Sequence, residues 1–297
     1  MANAQIAQIR TMLKETPLIP EGASLAEMRV GLDSMGGMFP RLDDVSSQAA
    51  NVGDIDGEWF DVTGGDSDRV MLYLHGGGYL LGSVESHRAM IERITKATGG
   101  RVLAINYRLA PEHPFPAAVD DGVAAYRGLL SEGYQAGRIS IAGDSAGGGL
   151  AIALLVALRD AGEPMPGCAV PISPWTDMEC GGASIESRAS VDPMVQKEIL
   201  MEMGGAYLSS ADPKSPLASP LNADFNGLPP MLIQVGDAEV LLDDSTRLEA
   251  KMKAAGVDVT VEVWDEMIHV WHLFAPILDK GQEAIDRLGA YVKEKTA

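Results

Sequence analysis

The sequence has few cysteines, few aromatic residues and no long apolar run. Its 297 residues include two cysteines, Cys168 and Cys180, and 5% aromatic residues. Two cysteines are too few for a disulfide framework and lack the paired spacing of a zinc site, so we read both as small buried residues. No stretch of about 18 apolar residues occurs, and residues 1–10 are too polar for a signal-peptide core. We therefore expect a cytoplasmic protein.

Positive charge is also scarce. The chain has 23 Lys and Arg residues against 42 Asp and Glu residues, which gives a formal net charge of -19 at pH 7. Phosphate recognition requires a basic face, and an anionic lipid surface repels an acidic protein. The composition therefore argues against nucleic-acid and membrane partners and favours a neutral small molecule as the ligand.

Short apolar runs alternate with helical patterns through much of the chain. The runs typical of strands cover residues 70–74, 102–107, 139–142, 168–172, 231–235 and 257–263. The patterns typical of helices cover residues 85–97, 116–131, 146–161, 244–255 and 281–295. This alternation predicts an α/β fold with a mostly parallel central sheet and helices on both faces.

Two segments fall outside the alternation. Residues 1–45 look helical and amphipathic, and residues 180–215 interrupt a strand-helix unit. We expect these segments to form the two parts of a helical cap, with residues 46–179 and 216–297 forming the main domain. Both segments are rich in methionine, whose adaptable side chain suits either a pocket wall or core packing.

Ser145 lies at the centre of the pentapeptide Gly143-Asp144-Ser145-Ala146-Gly147. A Gly-x-Ser-x-Gly match is weak alone, but this one joins a buried strand pattern to an apolar helix. Small residues on both sides permit a sharp turn that exposes the hydroxyl at the helix N-terminus, where backbone amides stabilise negative charge. No Gly-Lys-Ser or Gly-Lys-Thr follows, which argues against a phosphate-binding loop. The context predicts that Ser145 is a nucleophile.

A glycine-rich loop, His75-Gly76-Gly77-Gly78, directly follows the strand pattern at 70–74. Open α/β sheets bind ligands at the carboxyl ends of their strands, and glycine lets the backbone approach a substrate closely. We predict that the backbone N–H groups of Gly77, Gly78 and Ala146 stabilise an oxyanion. His75 itself fits a bracing role in the loop better than the role of a base.

The general base is predicted to be His269. Where a Gly-x-Ser-x-Gly turn carries the nucleophile, the order along the chain is serine, acid and then histidine. The histidine must therefore follow Ser145, which leaves His269 and His272 as candidates. His269 follows a strand pattern and a short loop, whereas His272 begins a helical stretch and fits a packed side chain. His87 and His113 precede Ser145 and are disfavoured.

The acid is expected after the strand at 231–235. Asp237 and Glu239 both have the chemistry to accept the second N–H of the imidazole, and the physics of the residues alone does not choose between them. Asp243 and Asp244 are expected in the first turn of the next helix, where negative charge is favourable.

With these motifs the chain resembles the hormone-sensitive-lipase-like family of bacterial carboxylesterases (family IV), in its Gly-Asp-Ser-Ala-Gly branch. Further motifs that match are residues 106–118, Ser173-Pro174-Trp175, Asp212-Pro213, Ser219-Pro220-Leu221 and Leu228-Pro229-Pro230. The resemblance implies an α/β-hydrolase sheet with a helical cap, no metal or cofactor, and hydrolysis of short-chain acyl esters. Such families often dimerise, which leaves a homodimer open here.

The resemblance also bears on the acid. In that family the acid usually opens an Asp-Pro-Leu-x-Asp-Glu stretch, which aligns with residues 239–244 and implies Glu239, although Glu replaces Asp and Val240 replaces Pro. The predicted catalytic residues are therefore Ser145, Glu239 and His269, in a serine esterase that works through an acyl-enzyme. The alternatives are an amidase, formamidase or deacetylase with the same residues, and a non-catalytic binding protein on a hydrolase scaffold.

Overall fold

A single eight-stranded sheet organises the computed structural model, which describes residues 2–16 and 22–297. The strands are β1 (Val45–Val52), β2 (Ile55–Val62), β3 (Val70–Leu74), β4 (Arg101–Ile105), β5 (Ile139–Asp144), β6 (Cys168–Ile172), β7 (Met231–Gly236) and β8 (Val259–Trp264). Their order across the sheet is β1-β2-β4-β3-β5-β6-β7-β8. Strand β2 runs antiparallel to β1 and β4, and the other neighbours are parallel. The prediction of a mostly parallel sheet is confirmed.

The hairpin of β1 and β2 has no counterpart in the sequence prediction. Strand β1 has the sequence Val-Ser-Ser-Gln-Ala-Ala-Asn-Val, which carries few β-branched residues. Only the first and last residues of the strand are buried. The turn is made by Gly53 and Asp54, whose φ values are 63° and 65°. Positive φ at both central residues gives the two-residue turn that suits the twist of a hairpin. Pairing with β2 therefore defines this strand, rather than an apolar pattern of its own.

Helices cover both faces of the sheet. They are α1 (Ala2–Glu15), α2 (Leu25–Asp33), α3 (Val84–Thr98), α4 (Ala117–Ser131), α5 (Ala146–Asp160), α6 (Ser184–Ser187), α7 (Lys197–Leu208), α8 (Leu242–Ala254) and α9 (Asp279–Lys295). Helices α4, α5 and α8 share one apolar core with Leu72 and Leu74 of β3. Helices α3 and α9 share the other with Met71 and Tyr73, because alternate residues of a strand face opposite sides.

The two segments predicted as a cap are far apart in the chain, but both contribute residues to the cavity that Ser145 lines. Helices α1 and α2 belong to residues 1–45, of which residues 1 and 17–21 lie outside the described residues, and α6 and α7 belong to residues 180–215. Helix α1 buries Ile9 and Leu13 in a cluster with Ile268. The division into cap and main domain stays a prediction. None of the helices in the described ranges is long and apolar enough to cross a membrane.

Candidate active site

Ser145 occupies a sharp turn between β5 and α5. Its φ of 53° and ψ of -119° lie in a region that residues with a side chain rarely adopt. A Cβ atom added at Gly143 would lie 2.3 Å from the carbonyl oxygen of Gly147, and one added at Gly147 would lie 2.0 Å from that of Leu74. Glycine is therefore required on both sides of Ser145, as the sequence motif indicates.

The structure brings together the three side chains predicted to do the chemistry. Ser145 Oγ lies 2.9 Å from His269 Nε2, and His269 Nδ1 lies 3.2 Å from Glu239 Oε1. His269 and Glu239 are both buried. In the neutral imidazole, Nδ1–H donates to Glu239 and Nε2 accepts the hydroxyl proton of Ser145. Such contacts would allow the imidazole to act as a base on the serine hydroxyl, with the carboxylate orienting the ring.

The charges around His269 favour its protonated form. Burial is the largest single effect and opposes protonation, but Glu239, Asp192 and Asp144 together outweigh it, so the pKa of His269 is raised above its ordinary value. An imidazolium formed by proton transfer from Ser145 is therefore stabilised where it forms.

Glu239 is held by two donors besides the histidine. Its Oε2 accepts the Ser173 hydroxyl at 2.8 Å and the Gly236 N–H at 3.1 Å. The longer glutamate side chain thus folds back toward the end of β7. Asp237 takes no part in this arrangement, because its backbone N–H donates to Trp264 and its Oδ1 has no hydrogen-bond partner among the described residues.

Three backbone N–H groups beside Ser145 are free to bind an anion. Gly77 and Gly78 line the cavity at Ser145 with φ values of 115° and 63°, which favour glycine, and Ala146 is the first residue of α5. Within the described residues, none of these three N–H groups donates to a protein acceptor. Unused donors next to a nucleophile suit the developing negative charge of a tetrahedral intermediate.

The chain matches the family model described as the alpha/beta hydrolase fold over residues 71–273. It belongs to the α/β-hydrolase family. It is 45% identical to an acetyl-hydrolase of Streptomyces hygroscopicus over 296 residues, which cover 100% of this chain and 98% of that protein. It is 32% identical to an esterase of Acinetobacter venetianus over 278 residues, which cover 93% of this chain and 91% of that protein.

Solved structures agree with this assignment. The hydrolase superposes on the crystal structure of an esterase from the bacterial hormone-sensitive lipase family with a TM-score of 0.96 and 48% identity, covering 99% of each chain. It superposes on a structure of EstE5 soaked with p-nitrophenyl butyrate with a TM-score of 0.94 and 48% identity, covering 98% of each chain. The resemblance to the hormone-sensitive-lipase-like family and the prediction of a hydrolase are confirmed.

A second buried carboxylate anchors the glycine loop of the hydrolase. Asp144 Oδ1 accepts the Tyr73 hydroxyl at 2.6 Å and the Gly76 N–H at 3.1 Å. Its Oδ2 lies 3.2 Å from His87 Nε2. A Cβ atom at Gly76 would lie 2.2 Å from this same Oδ2, so the loop touches Asp144 directly. The carboxylate therefore fixes the start of the loop that presents Gly77 to the cavity.

His75, His272 and His113 make no hydrogen bond to Ser145 within the described residues. His75 stacks on Tyr107 with ring centroids 4.3 Å apart, and burial, with the nearby His87, lowers its pKa to about 3. His272 Nε2 lies 2.9 Å from Gln234 Oε1, and burial lowers the pKa of this histidine to about 3 as well. Both rings are thus neutral structural groups, and His113 is exposed on the surface.

Ser145 opens into a cavity with mainly apolar walls. The space that the centre of a water molecule can reach in this cavity is about 110 Å³. Both segments predicted as a cap contribute to its walls, together with Trp175. The wall residues from these segments are Leu32, Met35, Met194, Val195, Ile199, Leu200 and Met203. Met28 of the first segment packs against the large apolar core instead, so methionine serves both of its predicted uses.

Ser173 appears in the sequence only as part of a matching motif, without a predicted role, and in the structure it joins the two loops that carry Glu239 and His269. Its Oγ donates to Glu239 and accepts the Val270 N–H at 3.2 Å. Its position directly after β6, at the carboxyl end of a parallel strand, was the signal available. In the part of the chain that the structure describes, no group of three or more His, Cys, Asp or Glu residues could hold a metal ion.

Proposed function

We propose that the protein is a serine carboxylesterase that hydrolyses short acyl esters through an acyl-enzyme on Ser145. The observation that supports this most strongly is the chain of contacts from Ser145 Oγ to His269 Nε2 at 2.9 Å and from His269 Nδ1 to Glu239 Oε1 at 3.2 Å. The free N–H groups of Gly77 and Gly78 beside it complete the set of groups that acyl transfer requires.

In the first half of the reaction, His269 Nε2 removes the proton of Ser145 as Oγ attacks the ester carbonyl carbon. The N–H groups of Gly77, Gly78 and Ala146 stabilise the oxyanion. His269 then gives its proton to the departing alcohol, which leaves the acyl group on Ser145. A water molecule, deprotonated by His269 in turn, attacks the acyl carbonyl carbon. The bond from this carbon to Ser145 Oγ then breaks as His269 returns the proton to Oγ, which releases the acid and restores the enzyme.

The cavity favours a small, uncharged acyl group. Its walls are mainly apolar side chains such as Trp175, Leu200 and Met203, and the reachable space is about 110 Å³. Burying a charged acyl chain against such walls would cost free energy without a partner to offset it. Two similar proteins are associated with short acyl groups. One is named an acetyl-hydrolase, from Streptomyces hygroscopicus, and the other, EstE5, was soaked with p-nitrophenyl butyrate.

A series of p-nitrophenyl esters from acetate to dodecanoate tests this proposal. We expect the highest kcat/KM at acetate to butyrate and a steep fall for chains longer than the cavity. Ser145→Ala should lose turnover by about 10⁶-fold in kcat, because the nucleophile is gone. A variant that keeps normal turnover would reject Ser145 as the nucleophile, and a preference for dodecanoate would reject the short-chain assignment.

An amide-cleaving activity is the second candidate. The name of the Streptomyces relative specifies an acetyl group and leaves the bond open. The same residues can cleave an amide if His269 protonates the amine as it leaves. Paired assays with p-nitrophenyl acetate and p-nitroacetanilide separate the two candidates, and we expect the ester to be the better substrate. A higher kcat/KM for the anilide would favour the amidase.

A further inference from the structure

Asp192 is a buried carboxylate in the segment between α6 and α7, with 4% of its surface exposed. Its Oδ1 accepts the N–H groups of Met194 at 2.9 Å and Val195 at 3.0 Å, and its Oδ2 accepts the N–H of Val240 at 2.9 Å. Met194 and Val195 line the cavity, and Val240 directly follows Glu239. One side chain thus joins a wall of the cavity to the loop that carries Glu239.

The same segment is tied to the loop that carries His269. Arg10 of α1 donates through Nη1 to the carbonyl oxygen of Val191 at 2.6 Å and through Nη2 to that of Glu266 at 3.1 Å. Helix α1 also packs Ile9 in a cluster with Ile268. The residues around Asp192 are therefore connected to both loops that carry Glu239 and His269.

We propose that Asp192 is a positioning residue, which fixes the loop of Glu239 and the Met194–Val195 wall in one relative position. This inference rests on the proposed esterase function. Three N–H donors satisfy the buried carboxylate, and hydrogen bonds to an ionised acceptor are stronger than neutral ones. Displacements of about 1 Å near a reacting centre cost about 100-fold in rate, so a loop held this way matters for catalysis.

Asp192 also acts on His269 through its charge. The carboxylates that raise the pKa of His269 are Glu239, Asp192 and Asp144, against the opposing effect of burial. Removing the Asp192 charge therefore lowers this pKa. Because the neutral imidazole is the active base, the acidic limb of the kcat/KM profile then moves to lower pH. A purely structural side chain would not move that limb.

Two variants separate the functions of this side chain. Asp192→Ser keeps a short acceptor for the turn at Met194 and Val195 but is too short to reach Val240. Asp192→Asn keeps the size of the side chain and removes its charge. The matched control is Asp212→Ser, because Asp212 also precedes a proline in residues 180–215 but is exposed and accepts the Lys214 N–H within its own turn.

We expect Asp192→Ser to lower kcat for p-nitrophenyl acetate by about tenfold. This is less than the roughly 100-fold loss of rate expected for a displacement of about 1 Å. Its acidic limb should move to lower pH. Asp192→Asn should move the limb in the same direction with a smaller loss of kcat. Asp212→Ser should keep kcat within about twofold and leave the limb unchanged, since the Asp212 side chain bonds within its own turn and does not line the cavity. Thermal unfolding at the assay pH confirms that each variant is folded.

Normal kcat and a normal acidic limb in both folded Asp192 variants would overturn the inference. So would a loss of kcat that follows the unfolded fraction while the limb stays in place, because this would make Asp192 a stabilising residue only. If Asp192→Ser does not fold, the acidic limb of Asp192→Asn decides. Ser145→Ala serves as the separate check, because its retained turnover would reject the proposed function rather than the role of Asp192.

Discussion

Two buried histidine-carboxylate pairs lie within the same site, and they differ in what the far nitrogen of each imidazole meets. His269 Nδ1 is 3.2 Å from Glu239, and His87 Nε2 is 3.2 Å from Asp144. In both pairs burial opposes protonation of the ring, the paired carboxylate and weaker neighbouring groups together outweigh burial, and the pKa of the histidine is raised. Separation, burial and charge are therefore shared between the two pairs.

The second nitrogens have different partners. The far nitrogen of His269 faces Ser145 Oγ, whereas His87 Nδ1 lies 2.8 Å from Ser86 Oγ and 3.3 Å from the Ser83 carbonyl oxygen. His87 lines the cavity, yet both of its nitrogens are engaged by the protein. A buried histidine-carboxylate pair can thus serve as a base only when its far nitrogen meets a reacting group. The other pair serves as a clamp on the glycine loop.

Replacing the two histidines should give the largest difference between the pairs. His269→Ala should lower kcat by about 10⁶-fold, because the base is removed. His87→Gln should lower kcat by at most about 100-fold, because it disturbs only the loop that carries Gly77 and Gly78, the proposed oxyanion donors. Initial rates with p-nitrophenyl acetate measure both, and equal losses would contradict the distinction between base and clamp.

Replacing the carboxylates tests the same distinction with a smaller effect. Glu239→Gln should lower kcat by about 10⁴-fold, because the imidazole loses the group that orients it and stabilises its charge. Glu239 raises the pKa of His269, so its removal should also move the acidic limb of the kcat profile to lower pH. Asp144→Asn should cost about 100-fold through the loop. A larger loss in Asp144→Asn than in Glu239→Gln would reverse the assignment of the pairs.

The clamp should also be visible in the pH dependence of stability. The pKa of His87 is raised in the folded protein from an ordinary value of 6.5. Its protonation therefore stabilises the fold fully below pH 6.5, and this contribution is lost as the pH rises through the folded-state pKa. Urea unfolding of His87→Gln should show a free energy of unfolding that falls less over this range than in the wild type. An unchanged slope would exclude a protonated clamp.

The smallest expected effects concern the hydroxyl groups beside each pair. Ser173→Ala removes a donor to Glu239 and an acceptor for Val270. We expect kcat to fall about tenfold, because each hydrogen bond contributes about 1 kcal/mol. Ser86→Ala should cost about 1 kcal/mol of stability and leave kcat within about twofold. Parallel measurement of kcat and of the unfolding free energy checks both variants, and a loss of activity confined to Ser86→Ala would contradict the comparison.

The parallel part of the sheet was predictable because its strands are buried on both faces and read as apolar runs, as in 70–74 and 168–172. Strand β1 was not, because most of its residues are polar or small and its partner β2 determines its place. Helix α5 was predictable from its apolar sequence. It lacks an amphipathic pattern because most of its residues are buried.

In the site, the order of motifs along the chain was sufficient to indicate Ser145 and His269. The chemistry of the two side chains could not decide whether Asp237 or Glu239 contacts the histidine. That depends on how the loop after β7 folds back, so that Glu239 accepts the Gly236 N–H. The contact of Asp192 with Val240 joins positions 48 residues apart. No periodicity or local motif encodes such a contact.

Covalent labelling tests the central claim, the activation of Ser145 by His269, most directly. The purified protein is treated with a fluorophosphonate, and the adduct is located by intact mass and peptide mapping. We predict one adduct per chain on Ser145, absent in Ser145→Ala and formed far more slowly in His269→Ala. An unlabelled wild type, an adduct on another residue, or equally fast labelling of His269→Ala would contradict the account.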